Sequence, residues 1–224
     1  MRWLTRSLAS NRGFIVFMLC MFVFRSAIAD WNVVPTGSMQ PTIRIGDRIM
    51  VDKMAYDLRV PFTTLSLWRR ADPRRGDIVI LDSSAAAERL VKRVVGVPGD
   101  QVALLGDRLY VNGVAAGYRT IHVDGIRDDR TDPAQYAIES VDRRQHAIRW
   151  SVAAQEHPRD FGPVTVPADQ YLLLGDDRDD SADSRYYGFF PRHEITGRAI
   201  RVALSLDPAN HYLPRGDRWG EKLE

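Results

Sequence analysis

The sequence predicts a mostly β fold, in which an N-terminal transmembrane helix precedes a domain of antiparallel β-sheets with a β-rich insertion. Three observations lead to this prediction. An apolar run follows early arginines, short runs of strand-forming residues separated by Gly, Pro and Asp fill much of the remaining chain, and a polar, charge-dense stretch interrupts them. After the apolar run there is no sustained helical periodicity, except weakly around residues 52–58.

The apolar run covers residues 13–24 and lies between Arg12 and Arg25. It is shorter than the ~20 residues that cross a bilayer, but apolar residues on both sides extend it enough for a transmembrane helix. Arginines before the run predict a cytoplasmic N-terminus, with the remainder of the chain across the membrane. The stretch Ala27-Ile28-Ala29 also fits the end of a cleaved secretory signal peptide, and composition alone leaves both interpretations open.

We expect three parts in the chain. Residues 1–30 form the cytoplasmic N-terminus and transmembrane anchor, residues 31–112 and 164–224 form a β core, and the more polar residues 113–163 form an inserted subdomain. The predicted strands are residues 47–52, 77–81, 89–95, 101–104, 109–113, 164–166, 171–174 and 199–204.

Composition limits the kinds of partner and site. The net charge of +2 gives no argument for nucleic acid, and we expect none. The single cysteine, Cys20, lies in the apolar run, which excludes an intramolecular disulfide and a cysteine-based metal site. The histidines lack the spacing of a helical metal motif, so neither a metal nor another cofactor is predicted.

Residues 62–75 place Phe62, Leu65, Leu67 and Trp68 beside four arginines. This pattern fits contact with an anionic membrane surface. A strand end packed in the core, followed by a solvated basic loop, fits the same pattern.

Ser38 lies between two prolines in the segment 34–42. Pro35 and Pro41 keep the segment out of helices and central strands, and Gly37 lets the backbone approach another group closely. These features suit an exposed nucleophile, but a serine needs a neighbouring base. Taken alone, the segment favours an ordinary turn.

Lys92 lies inside an apolar strand, where it shares a face with Leu90 and Val94. If that face is buried, the loss of solvation lowers the pKa of the amine, and a neutral lysine is a competent general base. The pattern alone favours a lysine on the solvent face of an edge strand.

Residues 175–188 carry many carboxylates but do not match a calcium loop. On the EF-hand pattern, Ala182 stands where glycine is needed and Gly188 where glutamate is needed. Arg178 and Arg185 predict instead a loop held by internal ion pairs. A Ser-His-Asp triad stays open, because its members need not be close in sequence, but no residue pattern supports it.

In this order, behind a membrane segment, these stretches resemble the type I signal peptidase (leader peptidase) family, from the anchor to the C-terminus. The residues that carry the resemblance are Pro35-Thr36-Gly37-Ser38-Met39-x-Pro41-Thr42, Gly46-Asp47, Lys92-Arg93-Val94-Val95-Gly96-x-Pro98-Gly99-Asp100 and Gly175-Asp176-x-Arg178-Asp179-x-Ser181-x-Asp183-Ser184-Arg185-x-x-Gly188.

The resemblance implies a membrane-anchored serine endopeptidase that removes signal peptides from exported preproteins after an A-x-A motif. Its partners would be preprotein signal peptides, the lipid bilayer and the nearby protein-export translocon. The catalytic domain would lie on the periplasmic side of a bacterial inner membrane. The family keeps its membrane segment as an anchor, so cleavage after Ala29 would be a minor reaction.

The same resemblance implies roles for individual residues. Ser38 would be the nucleophile, Lys92 the general base, and the Thr36 hydroxyl with the Ser38 N–H the oxyanion hole. Ser181 would orient the Lys92 amine. The pair that would brace this loop is Asp183 and Arg185. The walls of shallow substrate pockets would be Val34, Met39, Ile43, Leu90 and Val91, beside an edge strand to which the substrate adds.

The chain departs from the family pattern at Asp177 and Asp180, where asparagine is usual, and at Thr36, where serine is common. A carboxylate near Lys92 would favour the charged amine and raise the pH needed for activity. Two rival hypotheses are a cytosolic, self-cleaving Ser/Lys repressor-type protein and a non-catalytic, membrane-tethered β-domain that binds peptides. The membrane segment and residues 175–188 argue against the first, and activity distinguishes the second.

Overall fold

The computed structural model describes residues 11–63, 65–121, 133–151 and 159–223, and these residues confirm the mostly β prediction. The strands are β1 (Ala29–Val33), β2 (Asp47–Asp52), β3 (Asp57–Arg59), β4 (Ser66–Arg69), β5 (Ile78–Ser83), β6 (Glu88–Gly96), β7 (Gln101–Leu105), β8 (Arg108–Val111), β9 (Val114–Ala115), β10 (Gly117–Ile121), β11 (Ala134–Val141), β12 (Arg144–Ser151), β13 (Phe161–Thr165), β14 (Gln170–Leu174), β15 (Phe190–Pro191), β16 (Ile195–Asp207) and β17 (Leu213–Pro214). The helices are α1 (Arg12–Ala27), α2 (Ser184–Tyr187) and the 3-10 turns Arg192–Glu194, Pro208–Asn210 and Gly216–Arg218.

Helix α1 contains the apolar run and has 16 residues. Most of its large apolar side chains are exposed, including Phe14 and Phe22. Among the residues that the structure describes, no helix is long and apolar enough to cross a membrane. Residues 1–10 of the predicted anchor lie outside the described residues.

The largest sheet has the strand order β1-β2-β16-β5-β6-β14-β15, with β17 paired to the end of β16. Its neighbouring strands are antiparallel. Because successive side chains of a strand point to opposite faces, Ile78 and Ile80 of β5 join one apolar cluster, while Val79 and Leu81 join another. The centre of this sheet is therefore buried on both faces, which makes it a rigid support for side chains at its edges.

Besides the two-stranded sheet of β3 and β4, two smaller sheets complete the β structure around this support. One has the order β13-β7-β8-β9, and the other consists of β10, β11 and β12. The latter lies inside the predicted insertion, residues 113–163, of which residues 122–132 and 152–158 are outside the described residues. The division of the chain into three parts stays a prediction.

The predicted strands all overlap observed ones, but three features differ. The insertion was predicted to be β-rich, but no strands were assigned in it, and β11 and β12 add to the predicted strands. The weak helical pattern at 52–58 was wrong, since this stretch forms a turn and β3. Packing of residues 62–68 in the core was also wrong, because Phe62, Leu65, Leu67 and Trp68 are each about two-thirds exposed around the β3–β4 hairpin.

Gly197 provides a test of the central packing. A Cβ added there would lie 2.7 Å from Val51 Cγ1 and 2.9 Å from the Asp52 carbonyl oxygen. We expect Gly197→Ala to lower the free energy of unfolding by about 1–3 kcal/mol, measured by urea unfolding in detergent. The matched control is Gly117→Ala, whose added Cβ would meet Ser140 Cβ at 3.6 Å, an ordinary contact. Equal stability of the two variants would contradict this account of the packing.

Candidate active site

Ser38 lies in the loop that joins β1 to β2, and its side chain is half-buried. Its carbonyl oxygen accepts a hydrogen bond of 3.1 Å from the Asp177 N–H. Within the described parts of the chain, neither the Ser38 hydroxyl nor the Thr36 hydroxyl has a hydrogen-bond partner. Both hydroxyls are therefore available to a ligand at the surface.

Lys92 lies on β6, and its side chain is only 3% exposed. The interpretation as a solvent-facing lysine is therefore wrong. Its Nζ lies 3.0 Å from the Ser181 hydroxyl oxygen. Burial lowers the pKa of the amine from 10.5 to about 8, against the opposing charge of Asp183. An appreciable fraction of this amine is thus uncharged near neutral pH and can accept a proton.

Gly175 brings the serine segment and the lysine together. A Cβ added at Gly175 would lie 2.2 Å from Ser181 Oγ and 2.5 Å from the Ser38 carbonyl oxygen. Because the first of these atoms is hydrogen-bonded to the Lys92 amine, one glycine separates the backbone of Ser38 from the partner of Lys92. Any side chain at this position would force the two apart.

Asp183 and Arg185 form a two-point ion pair at the start of α2. Arg185 donates from Nε to Asp183 Oδ1 (2.9 Å) and from Nη2 to Oδ2 (2.8 Å). Burial alone would raise the pKa of the Asp183 carboxyl, but its hydrogen bonds and the positive charge of Arg185 bring it below the ordinary value. The same carboxylate accepts the Gly175 N–H at 3.0 Å, so it also fixes the backbone beside Ser181.

The predicted pocket residues divide between two faces of the sheet. Val34, Met39 and Ile43 are buried in one apolar cluster, and Val91 packs against it. Leu90 belongs to the cluster on the other face, since it is adjacent to Val91 in the same strand. The structure therefore brings four of the five residues together and leaves Leu90 apart.

The edge of β6 next to Lys92 is open. Strand β14 pairs with β6 only at Arg93, Val94 and Gly96. Among the described strands, none pairs with residues 88–92 on that side, while β5 occupies the other side. An extended peptide can therefore add to β6 alongside the lysine by backbone hydrogen bonds.

A buried charge pair that sequence reasoning missed ties β6 to the serine segment. Arg93 donates to both oxygens of Asp176 at 2.8 Å, and the Asp176 carboxylate also accepts from the Thr42 hydroxyl at 2.5 Å. Arg93 and Asp176 are at most 2% exposed. An arginine in the middle of an apolar strand was the sequence signal, because a buried guanidinium requires a carboxylate partner.

The loop at 176–181 is held mainly from the β11–β12 hairpin. Arg149 donates to Asp177 (3.0 Å), with both side chains fully buried, and Arg178 binds Glu139 of β11. The prediction of purely internal ion pairs was thus right for Arg185 and wrong for Arg178. Because β11 and β12 are distant in sequence, their part in this loop was not visible in its local pattern.

The two unusual aspartates have different surroundings. The Asp177 carboxylate is neutralised by Arg149. Asp180 is exposed, and its charge contributes to raising the pKa of Lys92. The hypothesis that a carboxylate raises the pKa of Lys92 therefore applies to Asp180 and not to Asp177.

The Arg149–Asp177 pair predicts a measurable coupling. Arg149→Met removes the cation that pairs with the buried Asp177 carboxylate, and we expect the free energy of unfolding to fall by about 3–5 kcal/mol. The double variant Arg149→Met/Asp177→Asn removes the uncompensated charge and should recover much of this loss. Chemical denaturation of the parent and the variants measures both effects. A single variant as stable as the parent would contradict the prediction.

Comparisons with known proteins show which family the chain resembles. The family described as signal peptidase, peptidase S26, matches residues 8–204. A signal peptidase I of Pseudomonas fluorescens is 32% identical over 223 residues, covering 94% of this chain and 77% of that protein. A probable signal peptidase I-2 of a Synechocystis species is 33% identical, covering 83% and 71%. Signal peptidase I P of Bacillus subtilis subsp. natto is 28% identical, covering 89% and 90%.

Proposed function

The chain belongs to the signal peptidase family, peptidase S26, and from this premise we propose that Ser38 and Lys92 form its catalytic dyad. Its relatives make it a serine endopeptidase. The observation that carries the proposal is the Lys92 amine, which is buried, has a pKa of about 8 and lies against Ser181 beside the Ser38 segment. The substrates are preproteins, which the enzyme cleaves after an A-x-A motif.

In the proposed reaction, the Ser38 hydroxyl oxygen attacks the scissile carbonyl carbon, and neutral Lys92 takes the proton of that hydroxyl. The Thr36 hydroxyl and the Ser38 N–H stabilise the negative oxygen that develops. The resulting Lys92 ammonium then gives its proton to the leaving amine, and an acyl-enzyme remains. A water molecule, deprotonated by Lys92, hydrolyses this ester and restores the serine.

Ser181 and the ion pair behind it position the base. A lysine side chain has four rotatable bonds, so a general base on it needs a fixed partner. Ser181 supplies one 3.0 Å from the amine, and Asp183 with Arg185 holds the adjoining backbone. None of these three residues needs to contact the substrate.

The substrate adds as an extended strand to the open edge of β6, and small apolar pockets select its side chains. Val34, Met39, Ile43 and Val91 share one buried cluster, which supports a shallow pocket near Ser38. Leu90 would contact the substrate from the neighbouring position on the strand. Pockets with such walls admit only small side chains at P1 and P3, which is the A-x-A rule.

Members of this family are membrane-associated in bacteria, and we propose that residues 1–30 anchor the chain with its N-terminus in the cytoplasm. The exposed apolar surface of α1 supports lipid as its surroundings. The exposed apolar side chains of residues 62–68 support a second contact with the bilayer on the periplasmic side. Both contacts would keep Ser38 near the membrane face, close to the translocon from which signal peptides emerge.

The test is cleavage of a preprotein whose signal ends in Ala-x-Ala by detergent-solubilised protein, with the product N-terminus read by mass spectrometry. We expect the parent to cut after this motif and Ser38→Ala and Lys92→Ala to lose at least about a thousandfold in kcat/KM, because nucleophile and base act as a unit. Loss in the serine variant alone would contradict the dyad. Absence of cutting by folded parent protein with lipid would favour the peptide-binding β-domain.

Activity should also follow the protonation of Lys92. The base must be neutral, so kcat/KM should rise as the pH passes through the pKa of about 8. About a tenth of the amines are neutral at pH 7 and about nine-tenths at pH 9, which predicts a rise of about tenfold. A profile that is flat between these values would contradict the assignment of Lys92 as the base.

Asp180→Asn removes a negative charge that favours the ammonium, so its activity profile should move to lower pH by a few tenths of a unit. The matched control is Asp177→Asn, in which the lost charge was already neutralised by Arg149. Its profile should not move to lower pH. A shift to lower pH in Asp177→Asn but not in Asp180→Asn would show that Asp177, and not Asp180, raises the pKa of Lys92.

A further inference from the structure

Two cavities meet at the tip of the β11–β12 hairpin, away from Ser38. The smaller has a volume of about 290 Å³ and mostly apolar walls, among them Val94, Leu109 and Val141. The larger has a volume of about 710 Å³ and runs along β16 toward the C-terminal segment. Arg143, Arg144 and His146 line both. The two spaces therefore form one cleft, which we call the basic cleft, with a charged mouth and an apolar recess.

The mouth of the basic cleft carries excess positive charge. The side chains of Arg143 and Arg198 line it and have no carboxylate or hydrogen-bond partner in the described part of the chain. The Arg201 side chain donates to the carbonyl oxygen of Gly220 (2.9 Å), and Arg144 lies 3.3 Å from Asp77 with half of its side chain exposed.

Most carboxylates around the basic cleft are already bound to other cations, and Asp77, which lines the larger cavity, pairs with Arg144. Asp176 is paired with Arg93, Asp142 with Arg75, and Glu139 with Arg178. They therefore do not neutralise the free arginines. A concave surface that holds several uncompensated cations concentrates anions.

His146 lies in the wall of the basic cleft, with its Nε2 buried behind the surface. Its side chain is 6% exposed, and Nε2 has no hydrogen-bond partner among the described residues. The nearest carboxylate oxygens, on Asp176 and Glu139, are each 3.9 Å away, which is too far for a hydrogen bond. Burial and the charge of Arg93 hold the pKa of His146 well below its ordinary value, so the ring is neutral and keeps one N–H to donate.

We propose that the basic cleft binds a phosphate ester, with the phosphate between Arg143, Arg144 and Arg198 and an apolar group in the smaller cavity. Several guanidinium groups around one space suit a doubly charged phosphate better than a carboxylate, which a single arginine satisfies. The apolar recess favours an ester over the inorganic ion. The same chemistry is offered by a soluble organic phosphate and by a phospholipid headgroup.

The experiment uses full-length protein in detergent micelles, with phenyl phosphate as the probe. Affinity is measured by calorimetry, and the ring signals of ¹⁵N-labelled histidine, assigned with His146→Gln, report contact. We expect phenyl phosphate to shift the His146 signals and to bind more tightly than inorganic phosphate. In Arg143→Gln/Arg198→Gln the affinity should fall about tenfold or more, because charge-assisted hydrogen bonds are lost.

The control variant is Arg119→Gln, which removes one exposed cation on β10, two strands away from β12. Its affinity should stay within about twofold of the parent. Equal weakening in the control, or an unmoved His146 signal, would overturn the proposal, as would equal affinity for inorganic phosphate and phenyl phosphate. Doping the micelles with phosphatidylglycerol, against phosphatidylcholine, identifies the source: competition by the first alone indicates a lipid headgroup, and no competition indicates a soluble ester.

Discussion

The burial of the Lys92 amine is the constraint on which this site depends. A lysine in water keeps its proton at neutral pH, and only the removal of solvent makes it a base. Lowering the pKa of Lys92 from 10.5 to about 8 means that the folded protein disfavours the charged amine by about 3 kcal/mol of free energy. A protein can keep a lysine buried in this way only where the surrounding strands are rigid. Lys92 lies next to the centre of the largest sheet, and Leu90 and Val94, which share its face of β6, are buried.

The second requirement is that the serine segment and the lysine strand stay in register with each other. Among the described residues, no strand pairing joins them directly, because Ser38 lies in a loop. The connection runs instead through the residues after β14: Asp176 holds Arg93 of β6 and Thr42 of the serine loop, and the Asp177 N–H holds the Ser38 carbonyl. These buried groups lie beneath the site and do not engage the hydroxyls of Thr36 and Ser38. The side chains that hold the site in place are therefore different from those proposed to react.

This arrangement gives the β11–β12 hairpin a part in the site. Arg149 of β12 pairs with Asp177, and the N–H of Ser151 donates to Asp179 at 2.9 Å. A sequence with asparagine at position 177 would make neutral contacts there. The carboxylate of this chain requires a cation, and Arg149 supplies it. The departure from the family pattern is therefore matched by a specific partner.

Much of the fold was predictable because strands with buried faces show their periodicity, as in β2, β5 and β6. The burial of Lys92 was not, since an apolar strand with one lysine has the same pattern whether its face is covered or solvated. The ion pairs of Asp176 and Glu139 escaped prediction for a related reason: their cations, Arg93 of β6 and Arg178 of the loop after β14, are far away in sequence, and local spacing carries no information on such pairs. Ser38, Lys92 and Ser181 were selected through the family resemblance, which supplied the long-range relation that composition and spacing lack.

The most direct test of this account is the titration of Lys92 itself. The chain has only three lysines, Lys53, Lys92 and Lys222, so ¹³C-methylation of the amines gives one NMR signal for each lysine besides that of the N-terminal amine, and Lys92→Arg assigns the signal of Lys92. The account predicts that the Lys92 signal titrates near pH 8 in the parent, and that Asp180→Asn moves this transition to lower pH. A Lys92 amine that stays charged up to pH 10 in the folded protein would contradict it.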